Sequence, residues 1–101
     1  MRIITKRTLR EFWEKHSTAK VSLLLWYERI CQNSFNNLAD IHQFFPSADV
    51  VGNFTVFNIG GNKYRLITYI DYQAQMIFIR AVLTHAEYNK EKWKDDEWFK
   101  K

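Results

Sequence analysis

Cysteine occurs once in these 101 residues, at Cys31, so no disulfide can form within the chain. A lone thiol suits a reducing cytoplasm, and the expected role of Cys31 is a small buried side chain at a helix end. Proline also occurs once, and glycine three times, so few positions interrupt regular structure. Long apolar runs are missing. The longest, Leu23–Tyr27, has five residues, far too few to span a bilayer. The apolar start Met1–Ile4 is broken by Lys6 and Arg7, which argues against a signal peptide. The expectation is a soluble protein with no membrane partner. Lysine and arginine are absent between Arg29 and Lys63. A net charge of +4 is therefore carried by the first 29 positions and by the stretch from Lys63 onward. The bias is mild but compatible with a polyanionic partner. The tail 91–101 holds four lysines against four acids and adds nothing to it.

Hydrophobic residues make up 47% of the chain and aromatics 17%, too apolar a mixture for disorder. The length fits one domain over 1–101, with 91–101 a charged, aromatic tail of undetermined structure. Arg2–Ile4 reads as a short opening strand. Leu9, Phe12, Trp13 and His16 fall on one face of a helix over 6–16, with Thr5 as its cap. A second helix, capped by Ser17 or Thr18, runs to about Gln32 with a wide apolar stripe. A third, Leu38–Phe45, ends before Pro46. Short strand-like runs then follow: Ala48–Val51, Phe54–Ile59, Lys63–Asp71 and Met76–Leu83. Gly60-Gly-Asn62 and Tyr72–Gln75 read as turns. Helices followed by consecutive hairpins predict an α+β domain, its N-terminal helices on one face of a small, mainly antiparallel sheet. The other face would be left to water or a ligand.

Side chains alternate along a strand, so the loop between the last two runs decides which residues share a face. An even loop centred on Gln73-Ala74 places Arg80 opposite Ile67 and on the face of Arg65. The apolar set Ile77, Ile79, Ala81 and Leu83 then lies under the helices. Two arginines on an open face suggest phosphate binding, since a guanidinium donates paired hydrogen bonds. Pairing with a carboxylate is the alternative, although Asp71 is the only acid on these two strands. His85 and Tyr88 follow, three apart, on a turn that Thr84 can cap. Metal-free RNA cleavage needs a base for the 2′-hydroxyl, cations for the phosphorane and an acid for the leaving oxygen. His85, Tyr88, Arg65 and Arg80 offer those groups, although spacing alone favours an ordinary capped turn. His16, His42, His85 and Cys31 are too scattered for a metal site. His16 reads as a helix-end residue and His42 as a surface one. Trp13, Trp26, Phe44, Phe45 and Phe57 read as core. Trp93, Trp98 and Phe99 form no clean helical face; they either dock on a partner or pack back onto the body.

In these motifs the chain resembles the HigB-type toxins of toxin–antitoxin pairs, a branch of the RelE-like ribonuclease superfamily. The resemblance runs from Met1 to about Lys90. It is carried by Arg2–Thr5 with Leu9 and Phe12, by Phe45-Pro-Ser-Ala-Asp49, by Val56-Phe-Asn-Ile-Gly-Gly-Asn-Lys-Tyr-Arg-Leu66, and by Ile79-Arg80 with Thr84-His-Ala-Glu-Tyr88. It implies a RelE-like α+β toxin that cleaves mRNA without a cofactor, on the translating ribosome. It also implies neutralisation by a helix-turn-helix antitoxin of the HigA type. The residues matching the family's working set are Lys63, Arg65, Arg80, His85 and Tyr88; Lys63 and Lys90 would contact the RNA backbone. Asn89 stands where many relatives have aspartate. The rival reading is a module on the same fold that binds RNA, ribosome or antitoxin and cuts nothing.

Overall fold

The computed structural model describes residues 1–99. The chain opens with strand β1 (Arg2–Ile4) and helix α1 (Arg7–Lys15). A 3-10 turn (Ser17–Ala19), α2 (Lys20–Cys31) and α3 (Leu38–Phe44) follow. Next come β2 (Asp49–Val51), β3 (Phe54–Ile59), β4 (Tyr64–Asp71) and β5 (Met76–Thr84). The helix α4 (His85–Asn89) and a 3-10 turn (Lys92–Asp95) close it. The five strands form one sheet in the order β1-β5-β4-β3-β2. Every pairing is antiparallel except β1 with β5. This is the expected α+β arrangement.

The core lies where the apolar stripes of the helices meet the sheet. Leu9 of α1 and Leu23, Trp26 and Ile30 of α2 are buried against Phe57, Ile59, Leu66, Ile77, Ile79 and Val82. Trp26 meets Phe57 edge-on with ring centres 5.4 Å apart, a favourable aromatic geometry. Trp13 and Phe45 are only partly buried at this core, and Phe44 is 39% exposed.

The helix starts differ from expectation. Thr5 does not cap α1. It takes a left-handed conformation (φ 71°) because the chain must turn from β1 into α1 within two residues. Nor do Ser17 and Thr18 cap α2; they lie in the 3-10 turn, and the Thr18 hydroxyl shares a hydrogen bond with the Tyr64 hydroxyl. Asn37 does cap α3, accepting from the Asp40 amide at 3.0 Å. Cys31 is exposed rather than buried. Ile30 takes the inward position, and the next residue lies about 100° further around the helix.

The β4–β5 hairpin has the expected even loop, with Asp71 opposite Met76. A β-bulge then shifts the register by one: Thr68 faces Ile79, but Ile67 faces Ala81. Arg80 is the extra residue. Beyond it the faces exchange. Val82 joins the core under the helices, while Ala81 and Leu83, expected there, turn to the opposite face. That opposite face is not open. Phe54, Val56 and Ile67 are buried beneath Trp93, with Tyr88, Trp98 and Phe99 packed around them. The tail therefore packs back onto the body, because three large aromatic rings in nine residues bury more apolar surface there than they would in water.

Leu23 and Val21 separate the two sides of α2. Leu23→Ala, at a fully buried position, should lower stability by about 2–5 kcal/mol. Val21→Ala, at a position 77% exposed, should shift it by no more than about 0.5 kcal/mol. Urea unfolding of both variants checks the contrast.

Candidate active site

The site begins at the end of β5, where Thr84 starts α4 with a reciprocal cap. Its hydroxyl accepts from the Glu87 amide at 3.2 Å, and the Glu87 carboxylate accepts from the Thr84 amide at 2.9 Å. The hydrogen bond from the Thr84 backbone, outweighing the effect of burial, holds the Glu87 carboxyl below its ordinary pKa. The cap fixes the direction in which His85 and Tyr88 leave the strand.

His85 turns back onto the β3–β4 loop. Its backbone amide donates to the Lys63 carbonyl at 3.0 Å, and its ring Nδ1 lies 3.1 Å from the Asn62 carbonyl. A carbonyl oxygen only accepts, so this contact assigns a proton to Nδ1; in the neutral ring Nε2 is then the acceptor. The same Asn62 carbonyl accepts from Arg65 Nη1 at 3.2 Å, and the Asn62 side-chain oxygen accepts from Arg65 Nη2. Arg65 is 9% exposed, and its guanidinium lies 5.3 Å from the centre of the Tyr88 ring. Asn62 thus joins Arg65 to His85, and Arg65 in turn meets the Tyr88 ring. Gly60 and Gly61, with φ of 62° and 69°, make the tight turn that presents it. Read from sequence, Asn62 is only a turn residue; its position directly after the glycine pair was the one available signal.

Arg80 lies on the face of Arg65, as expected, but its guanidinium is engaged. Nε and Nη2 donate to the two carboxylate oxygens of Asp96 at 2.8 and 2.9 Å. The Trp98 ring centre is 4.0 Å away. Burial works to raise the Asp96 pKa, but hydrogen bonds from Arg80 and the Trp98 amide, with the Arg80 charge, bring it below the usual value. The carboxylate partner of Arg80 comes from the tail rather than from Asp71, the one acid on β4 and β5. Lys63 is exposed beside His85. Lys90 ends α4 and lines a cavity of about 380 Å³ with Ala81, Leu83, Glu87, Lys92 and Trp93. Tyr88 stacks on Trp93 at 5.1 Å, and Asn89 is exposed at the last position of α4.

The other histidines lie elsewhere. His16 stacks on Phe12 at the end of α1, with ring centres 4.4 Å apart. His42 is half-buried rather than on the surface, because Nε2 reaches the Ala48 carbonyl at 2.8 Å. Among the described residues no cluster of three histidine, cysteine, aspartate or glutamate side chains is placed to hold a metal ion, and no helix is long and apolar enough to cross a membrane.

Residues 19–91 match the HigB toxin family, described as the RelE-like toxic component of a toxin-antitoxin system. The chain belongs to that family. It is 32% identical over 92 residues to the mRNA interferase toxin HigB of Escherichia coli K12, covering 88% of each chain. The mRNA interferase HigB of Shigella flexneri shows the same identity and coverage. That of Escherichia coli O6:H1 is 29% identical over 93 residues, covering 89% of this chain and 90% of its own. The family match spans the Asn62 turn, both arginines and α4, and stops at Glu91, where the tail begins.

Thr84→Ala should cost about 1 kcal/mol in chemical denaturation, the usual loss for a cap. Because the folded pKa of Glu87 is lowered, its contribution is complete above the ordinary glutamate pKa. It is lost as pH falls through the lowered folded value. Glu87→Gln should therefore flatten the acid limb of the stability profile.

Proposed function

We propose that this toxin is a metal-independent endoribonuclease that cleaves mRNA on the translating ribosome, in the cytoplasm, and is neutralised by a helix-turn-helix antitoxin of the HigA type. The observation that carries the reading is that Asn62 joins Arg65 to His85, with the Tyr88 ring against the Arg65 guanidinium. The family description and the names of the relatives, mRNA interferases, support the substrate.

In the proposed reaction His85 Nε2 takes the proton of a ribose 2′-hydroxyl. The 2′-oxygen forms a bond to the adjacent phosphorus, and the bond to the 5′-oxygen breaks. The Tyr88 hydroxyl gives a proton to that leaving oxygen. The products are a 2′,3′-cyclic phosphate and a 5′-hydroxyl end. Arg65 offsets the charge that builds on the phosphorane. Arg80 holds phosphate on the same face, and Lys63 and Lys90 contact the flanking backbone.

His85→Ala should reduce cleavage by about 10²–10⁴-fold, the usual range for a general acid or base. With Arg80→Ala, it should abolish growth arrest on expression while antitoxin binding and folding persist. Primer extension on cellular RNA should find new 5′ ends within translated messages for the wild type only. Full toxicity of both variants would remove this site assignment. Growth arrest by the wild type without new 5′ ends would favour the non-cleaving, binding-only reading.

A further inference from the structure

The tail that covers the sheet is built like the ligand the sheet would take. Asp95-Asp96-Glu97 supplies three consecutive negative charges, followed by the rings of Trp98 and Phe99. The Asp96 carboxylate accepts two parallel hydrogen bonds from Arg80, the geometry in which a guanidinium also takes a phosphate. The Trp98 indole stacks on the same guanidinium and meets Tyr69 and Phe78 edge-on, with ring centres 5.4 and 5.3 Å away. Arg65 pairs with Leu83 and Ile67 with Ala81, so Arg80 lies between two and three residues further along the sheet than Arg65, on the neighbouring strand.

We propose that the surface formed by Arg80, Tyr69 and Phe78 is a nucleotide subsite for single-stranded RNA, and that Asp96 and Trp98 are its intramolecular occupants. The carboxylate stands where a phosphate binds and the indole where a base stacks. This rests on the reading of Arg80 as an RNA-contacting group. RNA and tail then compete for one guanidinium, and the tail restrains the toxin until a longer polyanion displaces it.

The strap is held at both ends, the far one also by Asn53, which donates to the Trp98 and Phe99 carbonyls, so displacement concerns the side chains of Asp96 and Trp98 between them. Trp93 is buried, stacks on Tyr88 and donates from Nε1 to the Tyr88 carbonyl at 3.0 Å, so it anchors the near end. Glu91, left-handed at φ 61°, turns the chain from α4 into the strap. At the far end, Phe99 sits over Gly52, where a Cβ would come within 2.7 Å of its ring. Between these points the Arg80–Asp96 pair is partly solvated, with side chains 25% and 18% exposed. That exposure lets salt and a competing anion reach the pair, which is what a displaceable contact requires.

The test measures binding of a fluorescein-labelled 2′-O-methyl oligoribonucleotide, which lacks the attacking hydroxyl, to the full chain by anisotropy at low salt. Asp96→Asn, nearly isosteric, should bind about two- to fivefold more tightly than wild type. Trp98→Ala should also gain. Arg80→Ala should bind more weakly, and Asp96→Asn should give no gain in that background. Thermal unfolding verifies that each variant is folded. Loss of affinity in Asp96→Asn, or no change, overturns the proposal and makes Asp96 a residue that orients Arg80. A gain in Asp96→Asn with a loss in Trp98→Ala overturns the base-mimic half and leaves Trp98 as a stacking platform. If Arg80→Ala binds as wild type does, the RNA role of Arg80 falls and the subsite with it. If Arg80→Ala weakens binding while Asp96→Asn fails to strengthen it, the tail proposal falls alone.

Discussion

One extra residue in β5 sets the arrangement of everything beyond it. Strand side chains alternate, so an uninterrupted β5 with Ile77 and Ile79 under the helices would bury Ala81 and Leu83 there too. The bulge exchanges them: Val82 enters the core, and Ala81 and Leu83 line the tail face. Arg80, the inserted residue, stays on the side of Arg65 and meets the tail. The shift also brings Thr84 opposite Tyr64, so α4 starts over the β3–β4 loop. From there the His85 backbone can reach Lys63 and its ring Asn62. Bulges recur beside functional sites because they re-aim a side chain without breaking the sheet, and this one does both.

The sheet has two buried faces, which is unusual for an antiparallel sheet in a short chain. Five consecutive residues of β4, Tyr64 to Ile67 and Thr68, are buried, although the alternating pattern anticipates one wet side. The second face is covered not by a helix but by the tail, whose described part, 91–99, carries four acids and two lysines. Its three rings supply the apolar cover, and its acids give the half-buried Arg80 a counter-charge. A guanidinium left there without a partner would be costly, so apolar packing and ion pairing depend on each other in this layer.

Much of this was legible in the chain, and the parts that were not share a cause. Strands, helices and the even hairpin loop follow from local periodicity and turn residues. Alternation puts the two arginines on one face, as the structure has them, but misassigns Ala81 and Leu83, because a bulge leaves no local mark in Ile79-Arg-Ala-Val82. Thr5 has the composition of a cap, but the sharp exit from β1 overrides it. His42 reads as exposed until Ala48 is brought within 2.8 Å by the Phe45–Pro46 turn. Asp96 lies sixteen residues from Arg80, and no periodicity links them. The same holds for Asn62, whose carbonyl serves His85 from 23 residues away. In each case the decisive contact is non-local, and sequence patterns report only near neighbours.

The two arginines are held in different ways, and the difference bears on how such a face handles a polyanion. Arg65 is oriented by neutral oxygens: the Asn62 and Tyr64 carbonyls and the Asn62 side chain. Those contacts fix the guanidinium without cancelling its charge, so the positive potential remains available, as preorganised electrostatic stabilisation requires. Arg80 is oriented by a carboxylate, which cancels its charge at close range. On the proposed reading a phosphate would gain the Arg65 charge without displacing an anion, but at Arg80 it would have to replace one. Opening that second position therefore becomes steeper in ligand charge and length than binding to Arg65 alone. A short anion would meet one of the proposed positions, whereas a strand would meet both and could exchange its phosphate for Asp96 while already held. Distinguishing a polymer from a monophosphate then needs no base-specific contact, only one arginine left charged and one neutralised on the same face.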